Sequence, residues 1–117
     1  MARFTMRRRG LLLASAGVLA APGVPRAQAP AVKLGILQPV TGALAQDGEY
    51  GRLGAELAIN EINAGGGIRA LGGARIETVF GDARSNPEGG VAEVEKMQAE
   101  GVLAVVGGFA SPICLAA

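Results

Sequence analysis

Residues 32–42, VKLGILQPVTG, decide the fold of this 117-residue chain. The first six, Val32 to Leu37, are mostly apolar and include β-branched residues, which is typical of a strand. The next five, Gln38 to Gly42, contain Pro and Gly, which favour a turn or loop. The segment therefore predicts a first strand that leads into a loop.

An amphipathic helix is predicted from Gly48 to Asn63. The apolar residues of this segment recur every three or four positions: Tyr50, Leu53, Leu57, Ala58 and Ile62. We expect the helix to end at Ala64-Gly65-Gly66-Gly67, because glycine readily takes the left-handed conformation that closes helices. Tyr50 is predicted to pack along the apolar face rather than to line a pocket.

The rest of the chain repeats the pattern of strand and helix. Arg75 to Gly81 predicts a second strand, and Asn86-Pro87 predicts the cap and first turn of a second helix that runs to Gly101. Val102 to Gly108 is continuously apolar, which predicts a strand buried on both faces of a parallel sheet. The order β-α-β-α-β predicts an α/β fold, an open parallel sheet with helices on both faces.

Residues 1–29 have the features of an export signal. A basic start precedes an apolar stretch, Gly10 to Ala21, and the segment ends in Ala27-Gln28-Ala29. We predict a signal peptide with cleavage after Ala29 or Ala31, and the apolar stretch is too short for a membrane anchor. Arg8-Arg9 fits a twin-arginine pattern, and the general secretory route stays open. No Cys follows the stretch to carry a lipid, so we expect a soluble periplasmic product.

Composition excludes several classes of function. Five of the eleven cations lie in residues 1–29, so residues 30–117 carry six cations and ten acids, a net charge of 6 − 10 = −4. A nucleic-acid partner is not expected from such a surface. The chain has no His and one Cys, Cys114, which excludes His-dependent catalysis and thiolate zinc sites. The spacing also brings no nucleophile and base, and no two acids, together, so a small α/β enzyme is the least favoured alternative. We expect no metal, no cofactor and no enzymatic activity.

Three segments in this order resemble the type I periplasmic binding proteins of the Leu/Ile/Val-binding family. They are residues 33–42, KLGILQPVTG; residues 51–68, with AINEINAGGGI at their end; and residues 81–87, GDARSNP, which run into VVGG at 105–108. The resemblance covers essentially all of the chain after the export signal. It implies a partial N-terminal lobe over residues 32–117, truncated after the third strand.

The resemblance also implies a function. Proteins of this family deliver ligands to ABC importers, so we expect an extracytoplasmic solute-binding protein for a branched-chain amino acid or a related small amino acid or amide. Its partners would be that ligand and an ABC permease in the inner membrane. Two alternatives stay open: a truncated remnant without binding activity, and a receptor for another small carboxylate or urea-type ligand.

The expected ligand-binding residues follow the first and third strands: Gln46, Asp47, Gly108, Phe109 and Ser111. The family motif places at Ser111 a serine that binds the ligand's α-carboxylate, while Ser111-Pro112 also fits a plain helix cap. Many relatives carry an aromatic residue where Asp47 stands. This carboxylate either pairs with a cationic ligand group or only lies at a helix start. Asp82 and Asn86 are predicted to be turn and cap residues.

Overall fold

The computed structural model describes residues 29–117, so the predicted export segment lies outside the described residues apart from Ala29. The elements in chain order are β1 (Val32–Gln38), α1 (Ala45–Ala64), a short 3-10 turn (Arg69–Leu71), β2 (Ile76–Asp82), α2 (Pro87–Ala99), β3 (Ala104–Gly107) and α3 (Ser111–Ala116). The predicted alternation of strands and helices is confirmed, and no predicted boundary is more than three residues from the observed one.

The three strands form one parallel sheet in the order β2-β1-β3. Helices cover both of its faces, as the sequence predicts. On β1, Gly35 lies against Met97 of α2, while Gln38 lies against Gly51 of α1. Because side chains alternate along a strand, positions 35 and 38 face opposite sides of the sheet. The fold is therefore an open α/β layer with α1 on one face and α2 on the other.

The main apolar cluster lies on the α2 side of the sheet. Leu37, Ala83, Met97 and Ile113 are buried there, and Val79, Val94, Val102 and Ala110 pack against them. On α2, Met97 belongs to this cluster and Val94 packs against it. Ile113 brings α3 into the same cluster, so α2 and α3 form one layer on this face.

The predicted inward face of α1 is wrong. Tyr50, Leu53 and Leu57 are 64%, 49% and 62% exposed, and Ile62 is 43% exposed. The helix instead buries Gly48 and Ile59. The prediction that Tyr50 packs along the apolar helix face is therefore also wrong.

Backbone packing explains why α1 buries a different face from the predicted one. A Cβ on Gly48 would overlap the carbonyl oxygen of Pro39, and a Cβ on Gly51 would lie 2.7 Å from Nε2 of Gln38. The glycine side of the helix is therefore the only side that fits so close to the end of β1. Close approach to the sheet, and not hydrophobic periodicity, selects the face of α1 that is buried.

The prediction that the third strand is buried on both faces is also wrong. β3 pairs with β1 alone and forms one edge of the described sheet. All four of its residues are exposed, and Leu103 just before it is 77% exposed. A continuous apolar run therefore identified a strand correctly here, but not the strand's position in the sheet.

Candidate ligand-binding site

The carboxyl ends of the three parallel strands meet at one edge of the sheet, where three loops lie side by side. These are the β1–α1 loop (residues 39–44), the β2–α2 loop (residues 83–86) and the β3–α3 loop (residues 108–110). Ligands of open α/β sheets bind at this edge, beyond the carboxyl ends of the strands. The loops that hold the predicted site residues therefore lie where this fold binds ligands.

The β3–α3 loop runs tightly against β1. The backbone N–H of Gly108 donates to the carbonyl oxygen of Leu37 at 2.7 Å. Gly107, Gly108 and Phe109 all have positive φ angles, of 128°, 94° and 55°. A side chain at Gly107 would overlap the Leu37 carbonyl, and one at Gly108 would overlap Sγ of Cys114. Glycine is needed at both positions, because their φ angles are positive and the space is filled by the Leu37 backbone at Gly107 and by the Cys114 side chain at Gly108.

The prediction that Ser111 caps α3 is wrong by one residue. Ala110 is the N-cap, and Ser111 is the first helical residue. The backbone N–H groups of Ile113 and Cys114 both donate to the carbonyl oxygen of Ala110, at 3.0 and 3.1 Å, so the first turn closes on that residue. Ser111 is exposed, and Phe109, two residues earlier, is 56% exposed.

Gln46 and Asp47 lie in the first turn of α1, not in a loop before it, because α1 begins at Ala45. Both side chains are exposed. Nε2 of Gln46 donates to the Tyr50 hydroxyl at 3.3 Å. Asp47 makes no hydrogen bond or ion pair with any described residue, and its position at the helix start matches the simpler of its two predicted roles.

The predicted site residues thus form two groups. Gln46 and Asp47 begin α1, while Gly108, Phe109 and Ser111 lead into α3. Within residues 29–117, no hydrogen bond or ion pair joins one group to the other. Both groups lie at the same edge of the sheet. One follows the carboxyl end of β1 and the other follows the carboxyl end of β3, and these two strands are paired in parallel.

The carboxylate of Asp82, at the end of β2, accepts four hydrogen bonds. Its Oδ1 accepts from the backbone N–H groups of Val40, Thr41 and Arg84, at 3.0, 3.3 and 2.8 Å. Its Oδ2 accepts from the Thr41 hydroxyl at 2.7 Å. Burial alone would raise the pKa of this carboxyl, but the four hydrogen bonds outweigh burial and lower the pKa below its usual value. The predicted turn role of Asp82 is confirmed.

Asn86 is the N-cap of α2, as predicted. Its backbone is extended, and its Oδ1 accepts from the backbone N–H of Gly89 at 2.7 Å. Its Nδ2 donates to the carbonyl oxygen of Arg84 at 2.9 Å. Both polar atoms of the Asn86 side chain therefore bind backbone groups, one before and one after it in the chain.

Gln38 is a polar residue of this region that sequence reasoning missed. Only 7% of its surface is exposed, and its Oε1 has no hydrogen-bond partner among the described residues. Its Nε2 lies 2.7 Å and 3.0 Å from the places that a Cβ on Gly51 or Gly107 would take. The amide is therefore enclosed between α1 and the end of β3. The available signal was a single amide at the end of an apolar strand, which predicts no particular contact.

Two further features bear on the chemistry of residues 29–117. This part of the chain holds no group of three or more His, Cys, Asp or Glu residues that could bind a metal ion. None of its helices is both long enough and apolar enough to span a bilayer.

Comparison with known proteins connects this fold to one family. The model of a family described as periplasmic binding protein matches residues 31–117. The chain is 40% identical over 79 residues to the leucine-, isoleucine-, valine-, threonine- and alanine-binding protein of Pseudomonas aeruginosa, an alignment that covers 68% of this chain and 20% of that protein. It is 41% identical over 86 residues to Leu/Ile/Val-binding protein homolog 1 of Brucella abortus, covering 74% of this chain and 22% of the relative.

A solved structure has the same fold. It is the branched-chain amino acid transporter substrate binding protein LivJ from Streptococcus pneumoniae in complex with isoleucine, with a TM-score of 0.69 and 34% sequence identity. The similarity covers 74% of this chain and 24% of that one. This chain thus spans about a fifth to a quarter of the length of these proteins. It belongs to the type I periplasmic binding protein family, in the branch of the Leu/Ile/Val-binding proteins.

Proposed function

We propose that this chain forms the opening part of the N-terminal lobe of a solute-binding protein that serves an ABC importer. The protein captures a small amino acid or amide and catalyses no reaction. The observation that carries the proposal is the family match over residues 31–117, together with three parallel strands whose carboxyl ends meet at one edge. Such an edge supplies backbone groups and loops for a small ligand.

The names of the relatives support an amino acid as the ligand. The Pseudomonas aeruginosa protein is named for five amino acids that include threonine and alanine, and the Streptococcus pneumoniae protein was solved with isoleucine. Because this chain spans only part of their length, the ligand of the whole protein is part of the proposal. A branched-chain amino acid or a related small amino acid is the first candidate.

Ser111 is proposed to bind the carboxylate of the ligand. Ser111 is exposed at the first residue of α3, and its own backbone N–H has no hydrogen-bond partner among the described residues. The N–H groups of Ile113 and Cys114, in contrast, bind Ala110, and Pro112 has no N–H. A hydroxyl and backbone N–H groups are the donors that a carboxylate accepts. Gly108 and Phe109, which precede it, are proposed to line the same part of the site.

Gln46 and Asp47 are proposed to contact the other end of the ligand. Asp47 is exposed and makes no ion pair within residues 29–117, so its carboxylate is free to accept from an ammonium or amide N–H. This residue favours ligands with a donor group near the site over purely aliphatic ones. A small amide or a urea-type ligand is therefore the second candidate.

Export to the periplasm is part of the same proposal. The basic and apolar pattern of residues 1–29 supports a signal peptide, by the twin-arginine or the general secretory route. A periplasmic receptor would then deliver its ligand to a permease in the inner membrane.

Thermal unfolding with and without amino acids tests the proposed function. A ligand that binds only the folded state must raise the melting temperature. We expect one amino acid or amide from a pool of the twenty standard amino acids, acetamide and urea to raise it, and calorimetric titration then gives the affinity. Ser111→Ala is expected to weaken that affinity about tenfold or more, while Glu95→Gln, an exposed change on α2, leaves it unchanged.

One result would contradict the proposal, and a second would assign the activity to a longer protein. If the protein as its gene encodes it binds none of these compounds, the amino acid and amide ligands are both wrong. If the 117-residue chain fails to bind but a form extended by downstream sequence binds, the chain alone is a remnant without activity and the function belongs to the longer protein.

A further inference from the structure

Two side chains, one at the end of β2 and one in the β2–α2 loop, bind the β1–α1 loop. The first is Asp82, whose carboxylate accepts three hydrogen bonds from Val40 and Thr41, residues 41 or 42 positions earlier in the chain. The second is Ser85, whose Oγ donates to the carbonyl oxygen of Thr41 at 2.6 Å and accepts from the backbone N–H of Leu44 at 3.0 Å. Five hydrogen bonds therefore join the β1–α1 loop to the end of β2 and the β2–α2 loop.

The β2–α2 loop takes an unfavourable backbone conformation to make these contacts. Arg84 and Ser85 have φ angles of 53° and 57°, in the left-handed region that residues with a side chain rarely adopt. Asp82 and Asn86 hold Arg84 there by hydrogen bonds to its N–H and its carbonyl oxygen. Such strain persists only where the surrounding contacts impose it, and it is common at functional sites.

Two residues of the β1–α1 loop, Gly42 and Leu44, also depend on Ser85 for their conformation or position. Gly42 has a φ angle of 85°, and a Cβ on this residue would lie 2.9 Å from Oγ of Ser85. Leu44 is the N-cap of α1 and has no side-chain hydrogen bond to cap the helix. The N–H of this cap residue binds Ser85, so the start of α1 is located by a contact from another loop.

Gln46 and Asp47 follow this start directly, as the second and third residues of α1. The position of their side chains at the sheet edge thus depends on where Leu44 is held. We propose that Asp82 and Ser85 are positioning residues that hold the β1–α1 loop, and with it Gln46 and Asp47, in the ligand-binding arrangement before the ligand arrives. This inference rests on the proposed function, since it assumes that these two residues contact the ligand.

Preorganisation would act on affinity. A loop that is already ordered does not lose conformational freedom when the ligand binds, so more of the contact energy appears as affinity. Asp82 and Ser85 need not touch the ligand for this effect. Their removal should loosen residues 40–47 in the free protein and weaken binding, without changing which ligand is bound.

The test uses the protein as its gene encodes it and a pair of matched changes at Thr41. Thr41→Val removes the hydroxyl that donates to Oδ2 of Asp82 and keeps the side-chain shape, while Thr41→Ser keeps the hydroxyl. Ser85→Ala removes both contacts of the second side chain, and Glu95→Gln serves as an exposed control. The probe is the compound of the pool above that most raises the melting temperature.

Two measurements are made on each variant: amide hydrogen exchange of residues 40–47 without ligand, and affinity by calorimetric titration. In Thr41→Val and Ser85→Ala we expect exchange in these residues to speed up and affinity to fall about tenfold, the factor that corresponds to one hydrogen bond. Exchange in β1 and β2 should stay as in the unmodified protein. Thr41→Ser and Glu95→Gln should match the unmodified protein in both measurements.

Each other outcome overturns the inference in its own way. Faster exchange with unchanged affinity shows that the contacts order the loop but do not serve binding. Unchanged exchange shows that the two side chains do not hold the loop, and unfolding of Thr41→Val shows a purely structural contact. If the unmodified protein binds nothing, the proposed function fails and this inference fails with it, whereas the first three results leave the proposed function intact.

Discussion

The side chain of Asn63, near the end of α1, binds both backbone polar groups of Ile76, the first residue of β2. Its Nδ2 donates to the carbonyl oxygen of Ile76 at 2.9 Å, and its Oδ1 accepts from the Ile76 N–H at 2.8 Å. Arg75 directs its carbonyl oxygen toward β1, where the N–H of Val32 donates to it, so the polar groups of Ile76 point to the open edge of the sheet. Asn63 thereby takes the place of a neighbouring strand at this edge.

Removal of this contact should lower the stability of the fold. We expect Asn63→Ala to lower the free energy of unfolding by about 1–3 kcal/mol, because two hydrogen bonds are lost and Ile76 is left without partners. Urea unfolding measures the change. Asn60→Ala, one turn earlier on an exposed position of α1, is the control and should change the free energy by less than about 0.5 kcal/mol. Equal effects of the two changes would contradict the assigned role of Asn63.

Two glycines of α1 should respond in opposite directions to alanine. Gly48→Ala should lower the free energy of unfolding by about 1–3 kcal/mol, because its new methyl group would overlap the Pro39 carbonyl and push α1 from the sheet. Gly54→Ala should raise it by about 0.5–1 kcal/mol, since a Cβ there meets nothing within 4 Å and alanine favours the helix. Denaturant unfolding of both variants checks the pair. A stabilising Gly48→Ala would show that α1 does not pack on this face.

The buried amide of Gln38 is expected to add little to stability. Because its Oε1 has no partner among the described residues, Gln38→Met should leave the free energy of unfolding unchanged or raise it by about 1 kcal/mol. The exposed change Gln98→Met is the control for the new thioether. Chemical unfolding of both variants measures the effect. A loss of more than about 2 kcal/mol in Gln38→Met alone would reveal a hydrogen-bond partner for this amide.

Asp82 should make stability depend on pH in the acid range. Its pKa is lowered in the folded state from the usual 3.8, so the folded protein favours the charged form. The stabilisation is therefore fully present above about pH 3.8 and is lost as pH falls through the lowered folded pKa. We expect the difference in unfolding free energy between the unmodified protein and Asp82→Asn to be constant near neutral pH and to shrink below pH 3.8.

Urea unfolding between pH 2 and pH 7 follows this difference, with Glu95→Gln as the charge-matched control. The pKa of Glu49 is also lowered, by its hydrogen bond with Arg52, so acid should weaken the fold through more than one group. The comparison of variants isolates the part due to Asp82. A difference that stays constant down to the lowest pH would contradict the assigned hydrogen bonds.

Local sequence signals predicted the start of α2 correctly and placed the start of α3 one residue too late. Asn86-Pro87 predicted the cap and start of α2, because an asparagine oxygen can bind an N–H three residues later without help from the rest of the fold. Ser111-Pro112 has the same pattern, but α3 begins one residue earlier. The chain there leaves β3 through three residues with positive φ, which brings Ala110 and not Ser111 to the cap position.

The position of the candidate site could be predicted from the sequence, but the contacts between its elements could not. Gln46, Asp47 and Ser111 were correctly placed after the first and third strands, since strand order and loop composition are local properties. The contacts of Asp82 with Thr41 and the enclosure of Gln38 by two glycines were not predicted. Both join residues from different elements, and no pattern along the chain signals which partners meet.

Taken alone, the sequence determined the kinds of element, their order and the parallel α/β class, because apolar spacing and Gly or Pro punctuation act within a few residues. Tertiary structure decided which face of α1 is buried, that β3 lies at an edge, and that Asp82 holds a loop 41 residues away. These outcomes depend on how closely backbones can approach. That distance is set where α1 meets the chain at the end of β1, as at Gly48 against Pro39.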